Sequence, residues 1–385
     1  MTTTVTHLFP QTRIGIVGGG LMAQVHSRAA RAAGAEVLAV ATRTAAGRIR
    51  AQGATGAELA YRSAEELLAD DRIDVVHICT PNGSHAELVR AALAAGKHVV
   101  CEKPLATSAA EAEQLVQLAA GTGLVAAVPF VYRFHTVIRE VRARVASGIT
   151  GRLFTIQGAY LQDWLAAPAD DDWRVDPTFG GPSRAFADIG SHLCDAIEFV
   201  TGDPIRRLCA RVRTVHESRA TNKNVATEDA VTVVFETDAG VIGTLHVSQV
   251  AHGRKNALLL EIAGENESLV FDQENPDLLR VGTRAGFLAR LRSDDVDPAA
   301  RPYSRIPAGH AQGYQDAFNA FVADTYRAVT GSTPDGLPTF ADGLRAVELT
   351  EAVLRSDADG SWIDTPAALA RTRRFGGHSL ASLGA

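Results

Sequence analysis

Hydrophobic positions in the first third of the chain come in short unbroken runs, each followed by a stretch of helical character. The runs occupy 13–18, 36–41, 75–79 and 99–101. Apolar runs of this length read as strands covered on both faces, the pattern of a parallel sheet. Helix formers without proline fill 22–33, and further helical stretches fall at 64–68 and from about 84 to 95. The alternation predicts a doubly wound parallel sheet over roughly 13–129.

After Pro129 the period changes. Longer and often alternating runs appear at 153–160, 205–215, 230–236, 241–250, 258–262 and 268–272, several separated by turn residues such as Thr237-Asp238-Ala239-Gly240. Alternation of period two predicts a mostly antiparallel sheet with one covered face. Helices near 187–200, 310–330 and 340–355 complete an α+β second domain. The expected division is 1–129, 130–365 and a tail at 366–385 rich in Gly, Ser and Ala. The stretch 165–182, with Asp170-Asp171-Asp172 and several Pro and Gly, is a long loop of the kind that often carries function.

Composition narrows the class. A chain of 385 residues can bury two cores. A net charge of −6 argues against nucleic-acid or anionic-membrane partners, which need a basic footprint. The basic cluster Arg371–Arg374 lies in the tail. Cys79, Cys101, Cys194 and Cys209 have no paired spacing, so reduced thiols are expected. Residues 1–12 lack the basic start and apolar run of a signal peptide, and no run is long enough to cross a bilayer. A cytoplasmic location follows as an expectation.

The first run leads into Gly18-Gly19-Gly20-Leu21-Met22-Ala23, which fits G-x-G-x-x-G/A between a strand and a helix. Gly18 permits the tight turn, Gly20 lets backbone approach a pyrophosphate, and the helix start offers amides to phosphate. An acid some twenty residues on would hold the ribose of NAD. Thr42 and Arg43 stand there instead, and a guanidinium suits a 2′-phosphate, which favours NADP and leaves NAD open. Stacking of Arg43 on adenine, or exposure to solvent, is the competing reading. Thr80-Pro81-Asn82 with His85, and Glu102-Lys103-Pro104, follow the ends of predicted strands, where open α/β sheets bind ligands. Lys103 alone would read as a surface lysine.

Asp188 and His192 stand four apart and would share a helix face, where a carboxylate can orient an imidazole for proton abstraction. A helix cap and a core histidine explain that spacing equally well. Asp195 could be an ordinary surface carboxylate. His216-Glu217 lacks the second histidine of a zinc protease, and His246, His252 and His310 have no ligand spacing, so no metal is expected.

The glycine turn with His26, Thr80-Pro81-Asn82, Gly96-Lys97-His98-Val99, Glu102-Lys103-Pro104 and Asp188-Ile189-Gly190-Ser191-His192 occur in an order that resembles the glucose–fructose oxidoreductase/inositol dehydrogenase (Gfo/Idh/MocA) family. The resemblance implies a Rossmann domain followed by an α+β domain whose large open sheet supports homodimers or homotetramers. It implies hydride transfer between a nicotinamide and a secondary ring alcohol of a sugar, glycoside or cyclitol. Carried over by position, Lys103, Asp188 and His192 become the catalytic group, with His192 the proton acceptor. Tyr132, Arg133, Gln162, Asp163, Trp173 and Arg174 become substrate contacts. Two other readings of the same residues are a biosynthetic sugar ketoreductase and a non-catalytic NAD(P)-binding sensor.

Overall fold

The computed structural model describes residues 12–366. Residues 1–11, on which the leader reading rests, the Arg371–Arg374 cluster and nearly all of the tail lie outside the described residues.

The first lobe follows the apolar runs. Strands β1 (Arg13–Val17), β2 (Glu36–Ala41), β3 (Leu59–Tyr61), β4 (Val75–Ile78), β5 (His98–Cys101) and β6 (Ala126–Ala127) form a parallel sheet in the order β3-β2-β1-β4-β5-β6. Between them run α1 (Leu21–Ala32), α2 (Ala45–Thr55), α3 (Ala64–Leu68), α4 (His85–Ala94) and α5 (Ala109–Ala120). The order reverses beside β1, which opens a crevice at the carboxyl ends of β1 and β4. Gly18 makes the turn into α1 at φ +116°, and a Cβ there would lie 2.4 Å from the Cys79 carbonyl oxygen. That turn requires glycine.

The second lobe begins with α6 (Thr136–Ala146) and is built on β7 (Leu153–Leu161), β8 (Ile205–Arg213), β9 (Ala230–Thr237), β10 (Ile242–Ser248), β11 (Ala257–Gly264), β12 (Ser268–Asp272), β13 (Leu278–Thr283), β14 (Gly286–Leu291) and β15 (Ile363–Asp364). Their order is β14-β13-β12-β11-β7-β10-β9-β8-β15. The sheet is antiparallel except where β7 pairs β10, so the mostly antiparallel expectation holds. A short α7 (Pro177–Gly180) ends the long loop, and α8 (Ser191–Thr201) lies on the covered face of the sheet. Gly158 in β7 makes room for α8: a Cβ there would come within 2.9 Å of Leu193.

The two lobes share cores. From α9 (Tyr314–Val329), Phe318 and Phe321 pack with Ile14 and Val25; from α10 (Phe340–Asp359), Phe340, Leu344 and Val347 pack with Leu105, Leu115 and Val128. Apolar burial of this kind holds the lobes at a fixed spacing across the crevice.

Candidate active site

The crevice holds a cavity of about 1300 Å³ that runs from the glycine turn to α8. At one end it is lined by Gly18, Gly20, Leu21, Met22, Thr42 and Arg43, and along its floor by Thr80, Pro81, Asn82, Glu102 and Lys103. At the other end stand Tyr132, Gln162, Trp173, Arg174, Asp188 and His192. Lys103 from the first lobe and His192 from the second therefore face one space.

The glycine turn fits a dinucleotide. A Cβ at Gly20 would meet nothing within 4 Å, so the backbone borders open space. No side chain caps the start of α1 and no acid stands in its first turn, which leaves its amides for a phosphate. Glu65, from the first turn of α3, lines the same end as Thr42 and Arg43. Sequence spacing from the glycines misses it, because the acid comes from α3, beyond β3, rather than from the end of β2.

The polar centre is organised by Lys103. Its Nζ donates to the Asp188 carbonyl at 2.7 Å and to Asp188 Oδ1 at 2.6 Å. The approach coincides with a widened π turn over Phe186–Gly190, closed by a bond from the Ser191 N–H to the Phe186 carbonyl. Such turns are frequent at functional sites. Gln249 Nε2 donates to Asp188 Oδ2 at 2.8 Å, and Arg174 Nε stands 3.7 Å from Oδ1. Burial alone would raise the Asp188 carboxyl, but the charges of Lys103 and Arg174 prevail and hold it at about 2.

The expected Asp188–His192 hydrogen bond is absent. The carboxylate goes to a full positive charge, Lys103, and to Gln249. His192 instead packs edge-on against Tyr132 at 5.2 Å and Phe130 at 5.7 Å. Burial, then the Lys103 charge, push His192 down to about 3, so its ring is neutral at ordinary pH. Its Nδ1 is buried with no hydrogen-bond partner among the described residues.

Above these groups, Tyr132 and Tyr160 share a hydroxyl–hydroxyl bond, and Tyr160 Oη donates to Asn256 Oδ1 at 2.7 Å. Gln162 Nε2 donates to the same oxygen at 2.9 Å. Burial pushes the Tyr132 phenol up to about 12, so it remains a neutral donor or acceptor. Arg174 lies over the Trp173 ring at 4.3 Å.

Three residues expected at the site stand elsewhere. Arg133 is buried away from the cavity, where Asp195 accepts from its Nε at 2.8 Å and Asp342 from its Nη2 at 2.7 Å. Asp195 is accordingly a buried ion-pair partner and not a surface carboxylate. Asp163 turns outward to Lys255 Nζ at 2.7 Å. His85 sits beneath the cavity, its ring nitrogens 2.7 Å and 2.9 Å from the Pro104 and Thr80 carbonyls, and so ties the two loops that line the floor. Gln249, Asn256 and Tyr314 are contributions that no motif announces. Among the described residues no group of three His, Cys, Asp or Glu could hold a metal ion, and no helix is long and apolar enough to cross a membrane.

Residues 12–130 match the oxidoreductase family with NAD-binding Rossmann fold, and 138–270 match the GFO/IDH/MocA C-terminal domain. Levoglucosan dehydrogenase of Pseudarthrobacter phenanthrenivorans is 31% identical over 390 residues, covering 92% of this chain and 98% of that protein. This chain belongs to the GFO/IDH/MocA oxidoreductase family. Another relative is D-xylose 1-dehydrogenase (NADP(+)) 2 of Haloferax volcanii, 29% identical over 74% of this chain and 77% of its own. A solved levoglucosan dehydrogenase in complex with NADH and levoglucosan superposes with a TM-score of 0.87 at 28% identity, covering 93% of this chain and all of the other. As a GFO/IDH/MocA member, the chain is an NAD(P)-dependent oxidoreductase acting on CH–OH groups, and the cavity from Gly18 to Lys103 suits either nicotinamide cofactor.

Proposed function

We propose that this oxidoreductase interconverts a secondary hydroxyl and a ketone on a carbohydrate or cyclitol ring. The observation that carries the reading is the meeting of Lys103, fixed by Asp188, with a neutral His192 in one cavity. A bound nicotinamide supplies the hydride acceptor or donor. Lys103 Nζ donates a hydrogen bond to the reacting oxygen and stabilises its developing negative charge. His192 takes the hydroxyl proton on oxidation and returns it on reduction, since the same groups serve both directions. Tyr132, Gln162, Asn256 and Arg174 offer donors and acceptors to the remaining hydroxyls, and Trp173 offers an apolar ring face.

Anhydro-sugars are the first class to test, because levoglucosan dehydrogenase is similar to this chain over nearly its whole length. A panel of levoglucosan, free aldoses and inositols with NAD and NADP, read by nicotinamide absorbance, tests the reading. Turnover confined to acyclic alcohols would overturn it. Assembly into dimers or tetramers is part of the same proposal, through the outer sheet face, where Phe154, Val234 and Ile242 are 45%, 43% and 58% exposed. Light scattering of the purified protein tests it, and a monomer at micromolar concentration would sink it.

A further inference from the structure

Beneath the cavity runs a line of buried polar groups that this chemistry leaves unused. Glu102 Oε1 lies 2.9 Å from His26 Nε2 on α1, and His26 Nδ1 lies 2.7 Å from His77 Nδ1 on β4. His77 Nε2 lies 2.9 Å from the Tyr326 hydroxyl on α9. Both imidazoles are wholly buried, and Glu102 and Tyr326 nearly so. The line begins at a cavity-lining carboxylate and ends on a helix of the second lobe.

Counting donors and acceptors sets its polarity. Burial holds His77 well below its ordinary value, so its ring carries one proton. Burial alone would raise Glu102, but the hydrogen bond from His26 and the charge of Lys103 hold it below the ordinary carboxyl value. A carboxylate only accepts, so His26 Nε2 must be the protonated nitrogen. The two facing Nδ1 atoms need one proton between them. With His26 neutral, His77 Nδ1–H donates to His26 Nδ1, and His77 Nε2 accepts from the Tyr326 hydroxyl. All three bonds then point toward Glu102 and none is left unmade. A cationic His26 would reverse the two distal bonds, so the tautomers of the two rings report the direction of the line.

We propose that Tyr326, His77 and His26 form a one-directional hydrogen-bond relay that fixes the Glu102 carboxylate on the cavity floor, making them positioning residues for the reaction. None of the three lines the cavity. Glu102 Oε2 accepts the Lys103 backbone N–H at 3.2 Å, so a carboxylate that swings away carries the lysine peptide with it. Because α9 also packs against α1, the relay links the seating of the second lobe to the aim of Lys103.

The kinetic arm of the test rests on the proposed reaction, whereas the spectroscopic arm does not. Nitrogen-15 histidine NMR of the full chain reads the tautomers with and without NADH. The expected result is His26 protonated on Nε2 alone and His77 on Nδ1 alone. His77 protonated on Nε2, or either ring doubly protonated at neutral pH, would overturn the relay. Tyr326→Phe keeps the ring and removes the donor. Its kcat on the best substrate of the panel should fall about tenfold, with KM and the NADH dissociation constant within about twofold of wild type. A wild-type kcat in that variant also overturns the proposal. If no sugar is turned over, the tautomers still decide the relay, and a failed relay leaves the sugar reading standing.

Discussion

Lys103 Nζ stands 2.6 Å from Asp188 Oδ1, joining the end of a strand in one lobe to the turn before a helix in the other. The pair spans 85 residues of sequence and is part-buried, with side chains 14% and 15% exposed. Asp188 therefore aims the lysine, and His192 four residues on is held by packing instead.

Asp188→Asn keeps the shape of the side chain and removes the charge that fixes Lys103. Turnover should fall about 100-fold with cofactor affinity unchanged. In a double-mutant cycle with Lys103→Met the losses should be less than additive by about 1–3 kcal/mol. Additive losses, measured as kcat/KM, would mean that the two residues act separately.

His192→Ala should lower kcat by about 10²–10⁴-fold while NADH still binds. Because His192 titrates at about 3, the free-enzyme pH profile should show no loss assignable to this ring above about pH 4. An inflection near its ordinary value of 6.5 that vanishes in the alanine variant would contradict the burial argument.

Arg133 is placed to support the fold. Its guanidinium sits between buried Asp195 and part-buried Asp342, and removing it takes a buried cation from both carboxylates. Arg133→Ala should cost about 3–5 kcal/mol in denaturant unfolding. Any molecules that remain folded should retain an unchanged KM for sugar. A stable variant with a raised KM would return Arg133 to the substrate site.

Acid should destabilise the protein before any carboxylate pair breaks. Burial pushes His135 from 6.5 down to about 4, and its Nε2 has no hydrogen-bond partner among the described residues. The native state then binds fewer protons than the unfolded chain across that window, so stability falls as pH drops from about 6.5 to about 4. The loss amounts to about 3 kcal/mol and should disappear in His135→Phe, as read by thermal midpoints across pH. Asp188, depressed from 3.8 to about 2, acts lower down: its contribution is complete above its ordinary value and is lost as pH falls through about 2.

Cofactor choice should turn on two opposite charges at the adenosine end. Arg43 favours a 2′-phosphate and Glu65 opposes it, both facing the same end of the cavity. Glu65→Gln should shift the kcat/KM ratio toward NADP by about tenfold, and Arg43→Ala toward NAD by a similar factor. Ratios unmoved in both variants would separate these residues from the choice.

Strands β1, β2, β4, β5 and β7 to β12, the glycine turn and the ends of β4 and β5 were legible in the sequence because each depends on neighbours a few residues away. Apolar runs, a positive φ that only glycine accepts readily, and a proline after Lys103 are local signals. Lys103, Asp188 and His192 could be named from motifs, but their roles could not be apportioned: spacing paired Asp188 with His192, and the fold gave it to Lys103. Short-range pattern likewise missed α6 and the β13–β14 hairpin, whose apolar positions are fewer or more exposed. Only tertiary structure buried Arg133, turned Asp163 outward, brought in Glu65 and Gln249, and joined His77 to Tyr326 across 249 residues. A buried charge or ring nitrogen must find its partner through space, and the sequence does not encode which distant side chain will be there when the lobes close.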